Sequence, residues 1–255
     1  MLITIDIGNS LIGIGYFVSE RLVTQRLDTL PLRDAQTYAS AMEGFINQNH
    51  IEKKDVRCII CSVVPGHNAR LQEAVDLFAG QSVAPLTVNH RVETGLCLEI
   101  RTPETLGADR LANASGAFAL YQRAVAVVDF GTATTITMVD GKANLIGGAI
   151  MPGLRLMSAA LGAMTSQLEE VPLEKPDSAL GRDTGSCIRS GLFYGTAGAV
   201  ERIIAGVSDE TSAHFLTVIT GGHCMTMQQY MTVPCEKRPY LIHEGLRILY
   251  EKNRP

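Results

Sequence analysis

The protein has 255 residues, of which 46% are hydrophobic, and a formal net charge of −4 at pH 7. That length can bury one large core or two ordinary ones, and the small negative charge, with Lys and Arg scattered, leaves no footprint for nucleic acid. No stretch reaches the roughly 18 consecutive apolar residues of a membrane helix, and Met1–Ile7 lacks a basic start and reads as a strand rather than a secretion signal. Six cysteines at irregular spacing suit a reduced, cytoplasmic chain.

In chain order, LITIDIG reads as a buried strand, and LIGIGYFV resumes extended apolar patterning after Gly8, Asn9 and Ser10, which predicts a hairpin. RLVTQRLDT makes a third strand. Residues 35–49 have a helical period with Met42, Phe45 and Ile46 on one face. DVRCIICSVVP is a strand, ARLQEAVDLFAG a helix stopped by Gly80, and TVN near residue 88 a short strand. Cys58 and Cys61 form a C-x-x-C, but strand residues three apart face opposite sides, so both are expected as core thiols rather than a metal or redox pair. The histidines show no zinc-ligand spacing. Thr102 is placed to cap a turn with Pro103 at its first position. From Ala108 to Tyr121 the pattern is helical and small, through Ala112, Ala114, Ser115, Gly116, Ala117 and Ala119. Such a helix can approach a neighbour closely, within the chain or in a second copy.

The opening pattern then recurs. AVAVVDFGTATTITMVDG is again a buried strand, an Asp, a Gly, a hydroxyl residue and β-branched alternation, so Asp129-Phe130-Gly131-Thr132 echoes Asp6-Ile7-Gly8-Asn9. NLIGGAIMPG extends the sheet, LRLMSAALGAMTSQL is a helix, and a Pro-containing loop leads to a long helix with Thr184 as its expected N-cap. On that helix Leu192, Phe193 and Tyr194 are expected in the core. HFLTVITGGH is a strand ending in Gly221-Gly222, and HEGLRILYEKN a closing helix. The chain thus reads as α/β, two related lobes over residues 1–118 and 119–255, with a cleft between them.

A glycine turn can hold phosphate through backbone N–H groups. Walker and Rossmann loops put a helix after the glycines; here a strand follows, and no G-x-x-x-x-G-K-[ST] exists. A hairpin phosphate cradle remains. Asp6 beside it could hold a hydrated Mg²⁺ arriving with ATP, Asp129 and Thr132 would supply the second turn, and Gly221-Gly222 could lie against a base or ribose. A lone D-x-G-[NST] also makes ordinary turns; the repetition half a chain later is what favours a site.

These patterns resemble the actin, heat-shock chaperone and sugar-kinase superfamily, whose lobes are actin-like (ribonuclease H-like) with mixed sheets flanked by helices. DIGNS, GADRLANA, VVDFGTATTIT, GGAIMPGL, GRDTGSCIRSGLFYG and VITGG, in this order, resemble the motifs of the type III pantothenate kinase family over nearly the whole chain. The resemblance implies ATP-dependent phosphorylation of the primary hydroxyl of pantothenate, the first step of coenzyme A biosynthesis, in a cytoplasmic homodimer with no nucleic acid or membrane partner. By motif, Asp6, Ile7, Gly8, Asn9, Ser10, Leu11, Ile12 and Gly13 would line the ATP phosphates, Thr132 would touch ATP, and Asp6 would hold Mg²⁺ through water. Asp129 would hold the family's monovalent cation, K⁺ or NH₄⁺. Ile100, Gly107, Ala108, Asp109, Arg110 and Thr184 would contact pantothenate, with Asp109 as general base.

Chemistry fits those roles. An alcohol nucleophile needs a base within reach, and Arg110 offers a fork suited to a carboxylate, although by itself it could equally pair with Asp109. Ile100 stands where the family usually carries an aromatic residue, and Ser10 where threonine is common. Two other functions stay open: another small-molecule kinase on the same scaffold, or a non-catalytic ATP-binding accessory factor in gene regulation.

Overall fold

In the computed structural model, which describes residues 1–254, the first apolar runs fold back on one another. Leu2–Ile7 (β1) and Leu11–Val18 (β2) form an antiparallel hairpin, and Arg21–Asp28 (β3) pairs antiparallel with β2. Ala35–Gln48 (α1) leads to Arg57–Ser62 (β4), and Asn68–Ala79 (α2) to Leu86–Thr87 (β5), a strand slightly earlier than the TVN expected. Both strands add in parallel, giving the order β3-β2-β1-β4-β5. Period-two alternation sends Ile3, Ile5, Ile7, Ile12 and Ile14 into one cluster with Tyr38 and Met42 of α1 and Leu71 and Val75 of α2. Asp34 caps α1 by accepting from the Thr37 N–H at 2.7 Å, and Gly80 ends α2 at φ 69°.

The residues between those isoleucines, Thr4, Asp6, Gly13 and Gly15, face the other way, and two helices meet them. Leu241–Asn253 (α7) brings buried His243, whose Nδ1 lies 2.8 Å from the Thr4 hydroxyl. A Cβ at Gly15 would meet that hydroxyl and the imidazole. Ala108–Tyr121 (α3) crosses α7 where a Cβ on Gly245 would strike the Ala112 carbonyl. The small residues of α3 therefore serve contact inside the chain. Arg247 of α7 also holds Glu20 at 2.8 Å and lies over the Phe17 ring.

Val125–Phe130 (β7), Ala133–Val139 (β8) and Asn144–Pro152 (β9) make a second antiparallel meander, and Leu216–Thr220 (β10) and Cys235–Lys237 (β11) add in parallel beside β7. Read as β9-β8-β7-β10-β11, this is the strand order of the first sheet, with Cys97–Leu98 (β6) as an extra edge beside β9. Leu154–Met164 (α4), Thr184–Thr211 (α5) and Cys224–Met227 (α6) complete this half, whose core joins Val128, Phe130 and Ile136 to Leu192, Phe193 and Val200 of α5.

The chain divides into two units, but not by one cut after residue 118. The first holds Met1–Gly95, Thr102–Gly116 and the chain from Ile242 onward; the second holds Leu96–Arg101 and Ala117–Leu241. The closing helix belongs to the first unit because its histidine is buried on the first hairpin. Three local expectations also change. Thr102 bonds the Thr105 hydroxyl at 2.9 Å rather than capping a backbone N–H. Asp183, not Thr184, caps α5, in a reciprocal capping box with Ser186. Tyr194 is 40% exposed, edge-on to Tyr230 rather than in the core. Among the described residues no helix is long and apolar enough to cross a membrane.

Candidate active site

In the first unit, β1 runs into the turn Gly8-Asn9-Ser10. The Gly8 N–H donates to the Leu11 carbonyl at 3.0 Å and the Thr29 hydroxyl to the Gly8 carbonyl at 2.7 Å. Asn9, Ser10 and Leu11 are exposed, whereas Ile7 and Ile12 are wholly buried, so only backbone from those two could meet a ligand. Half-buried Asp6 stands opposite Gly13 on β2 and beside Cys61 on β4. The buried Cys61 thiol is hydrogen-bonded to the Asp6 carboxylate. Burial first, then the charges of Asp6 and Asp109, push its pKa well up, so it stays a protonated donor.

Asp109, whose charge also acts on Cys61, is in the first turn of α3, where the helix dipole favours an anion. Its carboxylate folds over Gly107, where a Cβ would meet Oδ1, so a larger residue there would push the Asp109 side chain aside. Burial lowers the pKa of the neighbouring Arg110, and the Asp109 charge opposes the shift. The first unit thus gathers Asp6, Cys61 and Asp109, which lie on three separate elements. The C-x-x-C is consistent with this arrangement: Cys58 joins the apolar cluster, Cys61 joins the carboxylates, and both are free buried thiols.

The second unit repeats the hairpin with other surroundings. Half-buried Asp129 holds the same place on β7 as Asp6 on β1, opposite Thr135 and beside Thr220. The Gly131 N–H donates to the Ala133 carbonyl at 3.1 Å, and the Gly153 N–H to the Thr132 carbonyl at 3.0 Å. Gly221, at φ 90°, lies so close that a Cβ would strike Asp129 Oδ1, and the His223 N–H donates to the Phe130 carbonyl at 3.1 Å. Burial, then the charge of Asp129, raises the Cys224 pKa; burial, then Arg155, lowers that of His223. Gly221 therefore packs beneath the aspartate, while Gly222 faces open space. Ile100, half-buried beyond β6, and exposed Thr184 also lie in this unit.

Sequence reasoning missed Cys61 as Asp6's partner, Gly153 and Gly221 as packing surfaces, and Thr29 as a brace. Only the GG signal was visible in advance. Among the described residues no three His, Cys, Asp or Glu side chains could together enclose a metal ion. Single carboxylates suit a different kind of site, a largely hydrated cation that arrives with phosphates.

Two sheets of one strand order, each opening with a hairpin that carries Asp before a glycine turn, define the class: an actin-like sugar-kinase fold. The structure superposes on a 2-dehydro-3-deoxygalactonokinase protein from Sinorhizobium meliloti (TM-score 0.57, 13% identity, all of both chains). It likewise superposes on a Baf family transcriptional activator from Campylobacter jejuni (TM-score 0.61, 18% identity, 98% of both chains). The sequence profile described as type III pantothenate kinase matches residues 2–206. A type III pantothenate kinase of Dehalococcoides mccartyi is 33% identical, over 99% of this chain and 98% of its own. The chain belongs to the type III pantothenate kinase family, and its kinase substrates are accordingly ATP and pantothenate.

Proposed function

We propose that the chain transfers the γ-phosphoryl group of ATP to the primary hydroxyl of pantothenate, with Asp109 as general base. The observation that carries this reading is the grouping of Asp6 and Asp109 around Cys61. Asp6, as the proposed phosphate-side carboxylate, and Asp109, as the proposed base, both act on the one Cys61 thiol, and the family match covers both positions.

Phosphoryl transfer needs alignment and charge compensation more than covalent chemistry. Backbone of the Asp6–Gly13 hairpin would hold the phosphates, with Thr132 also touching ATP. Asp6, its carboxylate oriented by the Cys61 thiol, would hold hydrated Mg²⁺, which when bound offsets phosphate charge. Asp109 would accept the proton of the attacking hydroxyl. Arg110 would take the pantothenate carboxylate, beside Gly107 and Ala108, with Ile100 and Thr184 as further contacts; since Asp183 makes the cap, Thr184 has no capping role to keep. Asp129, with close backbone of Gly221, would hold K⁺ or NH₄⁺, a positive charge where this fold has no P-loop lysine. A kinase drawing on ATP in this way would work in the cytoplasm. Two copies would pair as a homodimer; exposed Ile150, Leu156 and Met164 on the second unit supply apolar surface for it, and sedimentation of the purified chain tests that.

The purified chain with ATP, Mg²⁺, K⁺ and pantothenate should yield phosphopantothenate. Product at background, or faster turnover of another hydroxylated acid, overturns the reading.

A further inference from the structure

The first glycine turn has a support that none of the roles above uses. Thr29, one residue beyond β3, is 1% exposed and spends three polar groups on this region. Its N–H donates to the Ser10 carbonyl at 3.1 Å and its hydroxyl to the Gly8 carbonyl at 2.7 Å. Its own carbonyl accepts from His67 Nε2 at 2.8 Å. His67 is 4% exposed, and its Nδ1 is buried without a hydrogen-bond partner. Of the two ring nitrogens only Nε2 is hydrogen-bonded, and its partner is Thr29.

A turn that receives an anion works through its N–H groups, and its carbonyl oxygens oppose the same charge. Both carbonyls flanking Asn9 are taken by one buried threonine. We infer that Thr29 is a positioning residue for phosphate binding: it turns the Gly8 and Ser10 carbonyls inward, and His67 fixes its orientation. This rests on the proposed role of the Asp6–Gly13 hairpin. Ordinary strand pairing explains the bond from the Thr29 N–H, but not the hydroxyl on Gly8 or the buried histidine behind it.

The test separates nucleotide from acceptor. Thr29→Val keeps the branched shape and loses the donor; Thr29→Ser keeps the donor. MgATP binding is measured by calorimetry without pantothenate, and both KM values by steady-state assay. Thr29→Val should weaken MgATP binding about tenfold, the scale of one lost hydrogen bond. The pantothenate KM should stay within about twofold, and Thr29→Ser should restore MgATP binding to within about twofold. A valine variant that binds MgATP like the wild type overturns the inference, as does a serine variant as weak as valine, or both KM values rising together. Should the valine variant not fold, Thr29→Ser against Thr29→Ala gives the same contrast. Wild-type chain that binds no MgATP overturns the assignment of the hairpin, and this inference with it; wild-type binding with an indifferent valine variant overturns this inference alone.

Discussion

The two hairpins put an aspartate at the same position of the same strand and surround it differently. Around Asp6 the partners are side chains: a thiol from β4, and beyond it a second carboxylate from α3. Around Asp129 bare backbone comes closer, since a Cβ on Gly221 or Gly131 would meet its Oδ1, while the one thiol that its charge reaches, Cys224, lies just past the Gly221-Gly222 turn. Side chains bring titratable charge and hydrogen-bond donors, while bare backbone brings carbonyl oxygens and close approach. On the proposed roles, one duplicated element would serve proton chemistry in one copy and cation binding in the other.

The sharpest way to break that contrast is to exchange the acids. Asp109→Asn should lower kcat by about 10²- to 10⁴-fold, the usual worth of a general base, while MgATP binding by calorimetry stays at the wild-type level. Asp129→Asn should instead abolish the advantage of K⁺ or NH₄⁺ over Na⁺ in the same assay. Equal wild-type rates in all three salts would remove the basis for assigning Asp129 a cation.

Next in size is an acid response confined to the first hairpin. Burial holds His243 at a pKa of about 4, against 6.5 when exposed, so the unfolded chain binds its proton first. Stability from the neutral ring is complete above pH 6.5 and drains away as the pH falls towards 4. The full loss is on the order of 3 kcal/mol. Urea titrations across that range should show the decline, and His243→Gln should flatten it, from a lower starting stability. An unchanged slope in the variant would separate the histidine from the effect.

Smaller still is the pair of adjacent glycines under Asp129. Gly221→Ala forces a Cβ onto the aspartate at positive φ and should cost roughly 1–3 kcal/mol in denaturant melts. Gly222→Ala, with open space around it, should stay within about 0.5 kcal/mol. Equal costs would mean that the backbone beneath Asp129 is not tightly packed.

Much of this was legible from local pattern. Period-two runs located both hairpins, and the strand–Asp–x–Gly repeat found both acids because each signal spans only a few neighbouring residues. GADR pointed to Asp109, although not to the Cys61 thiol that its charge acts on. What stayed hidden depends on distant parts of the chain. Cys61 meets Asp6 only through the parallel register of β1 and β4, which local sequence does not state. The apolar face of α7 says that the helix packs, not on what. Asp183 and Thr184 are both good caps, and Ser186, three residues beyond Asp183, decides between them. Tyr194 stayed outside the core because the buried stripe of α5 runs through Leu192, Phe193, Thr196, Ala197 and Val200, and position 194 falls on the other face.

The return of α7 to the first sheet has a consequence for biosynthesis. The half of the molecule begun first still lacks a piece long after its strands are made, since His243 emerges 239 residues after Thr4, whose hydroxyl it meets. The other half, nearly continuous in sequence, has all its parts earlier. Synthesis and completion thus run in opposite orders, and a nascent chain stalled before residue 241 would leave one face of its first sheet bare to water.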